Sequence, residues 1–182
     1  MTKSLLVAGF SFFAINFVSS SLQAAELDVG LSDEVLSTEL LVSINQNVNA
    51  TVGYIYSEDE GQLLQSALLM SHDAGAHHFE FGAQYSRLWA DNSPNGSLVG
   101  VGGRYSLALG ANVSFHASGY FAPSVLSFGD IDGYYEMDSQ IQYNVNPNMG
   151  FYVGYRYIRF EYDHAKNSTF DDGLYLGAKF KF

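Results

Sequence analysis

A histidine and a serine two positions apart, His116 and Ser118, are the pair in this chain best suited to hydrolytic chemistry. Residues i and i+2 of a β-strand share a face, so the imidazole could take the proton of a hydroxyl nucleophile. Glu136, in the next strand, could orient the imidazole. Asn112 and Ser114 lie on the same face and favour a polar network instead. We therefore predict no catalytic site, with His116, Ser118 and Glu136 as the candidates to inspect.

Two further groups of polar residues have suitable chemistry but unsuitable spacing. Ser71, His72 and Asp73 are the residue types of a hydrolase triad, but contiguous strand residues point to alternate faces. His77 and His78 diverge in the same way, and no third metal ligand is evident. The chain has no cysteine, which excludes disulfides and thiolate metal sites. We expect neither a metal nor another cofactor.

Whether these side chains meet depends on the strands that carry them. These strands can be recognised because apolar and polar residues alternate through most of the chain. In "GYYEMDSQIQYNV", Tyr135, Met137 and Ile141 share one face, while carboxylates and amides share the other. Alternation with period two indicates strands with one apolar and one polar face. The predicted strands are 26–32, 35–44, 48–57, 62–72, 77–90, 97–109, 111–121, 133–145, 149–162 and 172–182.

Residues 1–25 have the three-part layout of a secretory signal peptide. A basic start, "MTK", precedes the apolar run "SLLVAGFSFFAINFV" and a small-residue stretch that ends near Ala25. Cleavage would leave seven basic residues against 19 acidic ones, a formal charge of −12. A nucleic-acid-binding protein needs a basic face, so this class is excluded.

The connections between the strands alternate between tight turns, such as "DAGA" and "NPN", and longer acidic links, such as "SEDEGQ" and "DHAKNSTFDD". Outer-membrane barrels combine short periplasmic turns with longer outer loops, and closure leaves no backbone group unpaired in lipid. We therefore predict an all-β, closed antiparallel transmembrane β-barrel over residues 26–182. It would have ten strands, or eight if a hairpin is misassigned, and lie in the outer membrane of a Gram-negative bacterium. The alternative is a soluble barrel with the faces reversed.

Isolated charges on the strands support the membrane orientation. Arg104 and Arg156 lie on polar faces, and a basic residue at the middle of the lipid face would cost about 2–4 kcal/mol. We expect both arginines and Lys179 inside the barrel, paired with carboxylates. The expected lumenal carboxylates are Asp28, Glu39, Glu80, Glu136 and Asp138. The charges expected above the bilayer are Arg87, Arg159 and Glu161. The acids expected in solvated loops are Glu58, Asp59, Glu60, Asp171 and Asp172.

The last ten residues, "GLYLGAKFKF", form a strand whose apolar face ends on Phe182. This ending resembles the C-terminal signal that outer-membrane barrels present to their assembly machinery. Together with "ELDVGLSDE" and "GFYVGYRYIRFEYD", it also resembles the YfaZ family of small bacterial outer-membrane proteins. The family resemblance implies an outer-membrane barrel and supplies no catalytic residues.

The expected function is a structural role, or interaction through acidic outer loops, without a general pore, because side chains can fill a barrel of this size. Expected partners are outer-membrane lipid, lipopolysaccharide and, through Phe182, the barrel assembly machinery; we expect a monomer and no nucleic acid. Three alternatives stay open. One is a lipid A-modifying hydrolase, since His116 and Ser118 resemble the His-x-Ser pair of outer-membrane lipid A deacylases. The others are a narrow channel and a soluble periplasmic ligand-binding barrel.

Overall fold

The structure, a computed structural model, describes residues 25–182 and consists almost entirely of β-strands. The predicted signal peptide lies outside the described residues, apart from Ala25. Within the described part of the chain, no helix is long and apolar enough to cross a membrane. The strands are β1 (Ala25–Leu31), β2 (Val35–Asn45), β3 (Val48–Ser57), β4 (Gly61–Ala74), β5 (His77–Ala90), β6 (Gly96–Ala108), β7 (Val113–Ala122), β8 (Ser127–Gly129), β9 (Ile131–Asn146), β10 (Met149–Tyr162) and β11 (Ser168–Lys181), with a 3₁₀ turn at Ser124–Leu126.

Ten long strands close into an antiparallel barrel. They pair in sequence order, β1 pairs with β11, and the β5–β6 pairing completes the ring. Closure leaves no free sheet edge in the lipid, where unpaired backbone groups are costly. The ten-strand prediction is therefore confirmed. The short strand β8, which pairs with the outer end of β6, was not expected because its segment lacks an alternating pattern.

The apolar faces of the strands form the outer surface of the barrel, as predicted. Phe81 and Met137 are 69% and 66% exposed, whereas Gln84 and Glu136 on the opposite faces are buried. A soluble barrel would enclose its apolar residues, so the alternative of a soluble barrel with reversed faces is wrong for this chain. The exposed apolar surface also includes Val52, Tyr54, Leu68, Met70, Tyr85, Trp89, Val101, Phe121, Ile141, Tyr143, Phe151, Val153, Leu174 and Leu176.

Tight turns lie at one end of the barrel, which we take as the periplasmic end because outer-membrane barrels have their short turns there. In two of these turns, the side-chain oxygens of Asn45 and Asn146 each accept a 2.9 Å hydrogen bond from the backbone nitrogen two residues later. This local bond favours asparagine at such turns. Gly75, in a third turn, has a φ of 67°, which glycine adopts without steric cost.

The outer connections are shorter than the sequence suggests, because the strands continue into segments expected to be loops. β4 begins at Gly61, and β11 begins at Ser168 rather than near residue 172. The outer connections are consequently confined to residues 32–34, 58–60, 91–95, 123–130 and 163–167.

The interior of the barrel has two layers of different chemistry. The outer layer, near the outer connections, is apolar, and the layer beneath it is polar. In the outer layer, Leu63, Leu98, Tyr134 and Ile158 have no exposed surface. We call this cluster the apolar plug; it comprises Val35, Ile55, Leu63, Ala67, Leu69, Leu88, Leu98, Tyr120, Ala122, Ile131, Tyr134, Ile158, Phe160, Tyr162 and Phe170. At its inner boundary, Ile55 and Tyr120 also line the polar layer, and Leu69 pairs with Asn49 of that layer.

Candidate functional site

A polar cavity of about 410 Å³ lies beneath the apolar plug, in the periplasmic half of the barrel. All ten long strands contribute inward-facing residues to its wall, because every second residue of each strand points inward. Glu26 and Lys181 line the cavity near its periplasmic end. Its volume falls within the range of about 300–1,000 Å³ that is typical of small-molecule sites. We therefore treat the cavity as the candidate site.

An ion pair between Arg104 and Glu39 crosses the cavity. The Nη1 and Nη2 atoms of Arg104 donate to the two carboxylate oxygens of Glu39, over 2.7 and 2.5 Å. The Nε atom of Arg104 donates to the hydroxyl of Tyr120 over 3.2 Å. β2 and β6 are not neighbours in the sheet, so this bidentate pair connects separate parts of the wall. The prediction that lumenal Arg104 pairs with a carboxylate is confirmed.

Lys179 occupies the periplasmic end of the cavity. Its Nζ atom lies 3.5 Å from Asp28 and 3.8 Å from Glu26. Tyr152 donates its hydroxyl to Asp28, and the same Nζ atom is 5.6 Å from the centre of the Tyr152 ring. This arrangement confirms the inward position of Lys179 and its predicted pairing.

Arg156 faces the lumen as predicted, but its ion-pair partner was not predicted. Its Nε atom donates to Asp171 over 2.6 Å, and its guanidinium lies 4.8 Å from the centre of the Tyr175 ring. The expectation that Asp171 is a solvated loop acid is therefore wrong. β11 begins at Ser168 rather than near residue 172, so Asp171 lies in the strand, on the inward face that it shares with Tyr175. The pairing between β10 and β11 shifts only after Ile158, which leaves Phe170 as a bulge next to Asp171.

Glu136 is held by neutral groups rather than by an arginine. Its Oε2 atom accepts hydrogen bonds from Gln65 over 2.8 Å and from Gln84 over 2.7 Å. The hydroxyl of Tyr134 donates to the same oxygen. Glu136 is 8% exposed, so these bonds replace its hydration. The predicted ion pair is absent because the facing positions on β4 and β5 carry amides.

Glu80 and Asp138 are held in the same manner. Glu80 accepts a 2.5 Å hydrogen bond from the side-chain amide of Asn49, and Asp138 accepts one of 2.5 Å from the hydroxyl of Tyr175. Within residues 25–182, the salt bridges of lysine and arginine do not reach Glu80, Glu136 or Asp138. His78 Nε2 is 3.7 Å from Glu80. The prediction of lysine or arginine partners is wrong for these three carboxylates.

The hydrolase candidates face the lumen but do not form a catalytic line. The two ring nitrogens of His116 contact the hydroxyls of Ser106 and Ser114, each over 2.8 Å. Both nitrogens are thus occupied by serines other than Ser118. Glu136 binds the amides described above and does not orient the imidazole. Ser118 and His116 belong to a polar network on the cavity wall.

His72, His77 and His78 lie near the periplasmic turns, whereas His164 lies in the outer connection 163–167. His78 contacts Asp73 over 2.6 Å, and His77 contacts the hydroxyl of Tyr105 over 2.7 Å. Ser71 and His72 pair with successive residues of β5 and so point to alternate faces, as expected. Among residues 25–182, no group of three or more His, Cys, Asp or Glu side chains could hold a metal ion.

Two lumenal tyrosines were missed by the sequence analysis, although their spacing marks them. Tyr152 and Tyr175 are 5% exposed and lie on the polar, glycine-containing faces of their strands. A Cβ atom on Gly177 would lie 2.1 Å from the Tyr152 ring, and one on Gly154 would lie 2.6 Å from the Tyr175 ring. Each glycine therefore makes room for an aromatic ring on the neighbouring strand.

Comparison with the structure of the NanC porin supports the fold. The NanC porin structure is similar, with a TM-score of 0.53 and 12% identity over 90% of this chain and 96% of that one. The KdgM porin in complex with disordered oligogalacturonate gives a TM-score of 0.47 and 10% identity over 87% and 99% of the chains. The outer membrane channel DcaP of Acinetobacter baumannii gives a TM-score of 0.48 and 11% identity over 85% of this chain. This chain covers 54% of the DcaP chain. Among curated proteins, none matches this sequence.

The closed barrel, its apolar exterior and its porin-like fold define an outer-membrane β-barrel protein of a Gram-negative bacterium. The family model described as YfaZ precursor matches residues 2–182. The chain therefore belongs to the YfaZ family, as its sequence resemblance implied.

Proposed function

We propose that this protein is a barrel closed to bulk solutes, with a structural or interaction role in the outer membrane. The observation that carries this proposal is the apolar plug, whose side chains, such as Leu63, Tyr134 and Phe160, are buried inside the barrel towards its outer end. An aqueous path would need a polar lining along the whole barrel. Small barrels have interiors that side chains can fill, in contrast to porins of 16–18 strands.

The interaction surface in this proposal is the acidic outer end of the barrel. The outer connections and adjoining strand ends carry the exposed acids Asp33, Glu34, Glu58, Asp59, Asp91, Asp130, Asp132, Asp163 and Asp172. Such a surface favours positively charged or cation-bridged partners, including lipopolysaccharide in the presence of divalent cations. Phe182, which is 75% exposed at the periplasmic end, supports recognition by the barrel assembly machinery. Cleavage of a signal peptide over residues 1–25 also forms part of the proposal.

Conductance in planar bilayers tests closure. The folded wild-type protein is expected to be silent, whereas the double variant Tyr134→Ala, Phe160→Ala should conduct, because it removes two rings from the plug. Tyr135→Ala is the matched control, since Tyr135 is next in the chain but faces the lipid with 42% exposure. Discrete conductance by the wild-type protein would overturn the proposal.

A narrow channel is the second candidate, and the polar cavity favours it. The cavity supplies half of a transmembrane path, so only the plug would have to rearrange. This candidate predicts small conductance steps from the wild-type protein that grow when the plug is truncated. Wild-type silence with a conducting plug variant would support the closed barrel.

A further inference from the structure

We propose that Arg87, supported by Trp89, binds a phosphate group of a phosphorylated glycolipid of the outer leaflet, on the lipid-facing wall of the barrel. This inference goes beyond the proposed function, because it concerns the wall rather than the plug or the acidic outer end. It rests on the distribution of basic side chains, on the surroundings of Arg87 and on the level of Arg87 along its strand.

The basic side chains are distributed unevenly over the barrel. Residues 25–182 contain seven of the eight lysine and arginine residues, since Lys3 precedes them. One of the seven lies in the outer connection 163–167, and four line the cavity: Arg104, Arg156, Lys179 and Lys181. The remaining two, Arg87 and Arg159, lie on the lipid-facing sides of β5 and β10, each three residues before the outer end of its strand. In this part of the chain, positive charge on the wall is therefore confined to the level of the outer leaflet.

Arg87 lacks a counterion from the protein. Among the residues that the structure describes, no salt bridge involves Arg87, whereas the Nε atom of Arg159 lies 3.9 Å from a carboxylate oxygen of Glu161. The residues directly opposite Arg87 on β4 and β6 are Leu64 and Ser97, which are uncharged. A charged side chain removed from water is stable only with a partner of opposite charge. The surroundings of Arg87 therefore favour an anionic group supplied by the lipid.

The level of Arg87 along β5 matches the outer edge of the apolar band. Phe79, which is 45% exposed, begins the outward apolar face of β5 near the periplasmic turn, and Arg87 follows eight residues later on the same face. At about 3.3 Å per residue and a tilt of about 40°, this segment rises about 20 Å along the barrel axis. The apolar band of outer-membrane barrels is about 25 Å tall. Arg87 is thus placed where the hydrocarbon ends and the phosphates of the lipid headgroups begin.

Trp89 holds the guanidinium of Arg87 at the wall. The Cζ atom of Arg87 lies 5.6 Å from the centre of the Trp89 ring, and Trp89 is 42% exposed. Tryptophan is favoured at the membrane interface, where one side of its ring meets hydrocarbon and the other meets headgroups. The planar guanidinium can donate two parallel hydrogen bonds to phosphate oxygens. Phe128, which is 53% exposed, pairs with Ser97 in the same row and adds apolar surface for the acyl chains.

Native mass spectrometry of the folded barrel in detergent micelles tests the proposal, with diphosphorylated lipid A as the probe. EDTA is present throughout, so cation-bridged binding at the acidic outer end, which belongs to the proposed function, does not contribute. We expect saturable binding of lipid A and at least tenfold weaker binding of the same lipid after its phosphates have been removed. Equal binding of the two lipids, or binding only when magnesium is supplied, would overturn the proposal.

Matched variants separate Arg87 from the net charge of the protein. Arg87→Gln should weaken lipid A binding about tenfold or more, because the charged donors to the phosphate are lost. Lys166→Gln removes the same charge from an exposed position in an outer connection and should leave the affinity unchanged. Equal losses in the two variants would show that net charge determines binding. Such a result, or unchanged affinity in Arg87→Gln, would refute a site at Arg87.

The emission of Trp89 reports where the lipid binds, because Trp89 is the single tryptophan of the chain. Lipid A should change this emission in the wild-type protein, and in Arg87→Gln the same change should require about tenfold more lipid. Binding that leaves the emission unchanged would place the lipid elsewhere and contradict the proposal. The boiled and unboiled gel mobility of each variant verifies that it is folded before titration. Arg87→Met also removes the charge, so it provides the same test if Arg87→Gln fails to fold.

Discussion

At the scale of single residues, the interior of this barrel depends on buried charges with specific partners. Arg156 and Asp171 are only 6% and 9% exposed, and their 2.6 Å contact compensates two charges removed from water. Removing one member of such a pair leaves the other charge buried without compensation, which costs more than the pair itself contributes. The contribution of the Arg156–Asp171 ion pair to stability can be measured.

Asp171→Asn is expected to lower the free energy of unfolding by about 3–5 kcal/mol, because Arg156 keeps its charge and loses its counterion. Urea unfolding of the barrel in lipid vesicles measures the change. Asp172→Asn is the matched control: Asp172 is adjacent, exposed and accepts a hydrogen bond from the Tyr155 hydroxyl. Its loss should cost about 0.5–1.5 kcal/mol. Equal effects of the two substitutions would contradict a structural role for the Arg156–Asp171 pair.

At the scale of elements, each long strand has one face towards the lipid and the other towards the lumen. In β10, Val153 and Tyr155 face the lipid, while Tyr152 and Arg156 face the lumen. Val153 pairs with Ile141 on one side and Leu176 on the other, which are also exposed apolar residues. This row therefore belongs to the lipid-facing band, and a charge placed there has no aqueous neighbour.

Val153→Arg should destabilise the barrel by about 2–4 kcal/mol, the cost of a basic side chain on the lipid face near the bilayer midplane. Ala165→Arg introduces the same charge in the exposed outer connection and should have little effect. Unfolding in vesicles with both variants provides the comparison. If the two variants were equally stable, Val153 would not be in contact with the hydrocarbon.

The positions of the strands were predictable because the period of two is a local property of the chain. All ten predicted strands exist, and parity alone places Arg104, Arg156 and Lys179 on the polar faces of their strands, which line the lumen. Bulges were not predictable, since a register shift depends on the neighbouring strand. The bulge at Phe170 interrupts the alternation, so the sequence placed the start of this strand near residue 172 and assigned Asp171 to a loop, although Asp171 lies in β11.

At the scale of the whole molecule, the barrel is closed and layered. The β1–β11 pairing joins the first and last strands, so the described sheet leaves no edge unpaired in the membrane. The interior changes from polar to apolar along the barrel axis. Both features involve residues far apart in the chain, and both bear on how the intact protein behaves in detergent.

The outer-membrane fraction should contain this protein in a form whose gel mobility changes on boiling. A closed barrel pairs its backbone within the sheet and is expected to stay compact in detergent until it is heated. The measurement compares boiled and unboiled samples, with a urea-denatured sample as the reference for the unfolded chain. Protein in the soluble periplasm without a heat-dependent shift would contradict a closed membrane barrel.

The sequence by itself determined the strand positions and which residues share a face, because these depend on residues two positions apart. Alternation is the same in a soluble barrel with reversed faces, and the exposed apolar faces of the structure exclude that alternative. Only the tertiary structure decided which lumenal groups meet. Glu136 contacts Gln65 and Gln84 on strands distant in the chain, and Arg104 reaches Glu39 across the lumen. Such contacts depend on barrel closure and strand register, which bring together strands that are far apart in the chain. The alternation along a single strand does not show which strands these are. The apolar plug and the cavity beneath it arise for the same reason.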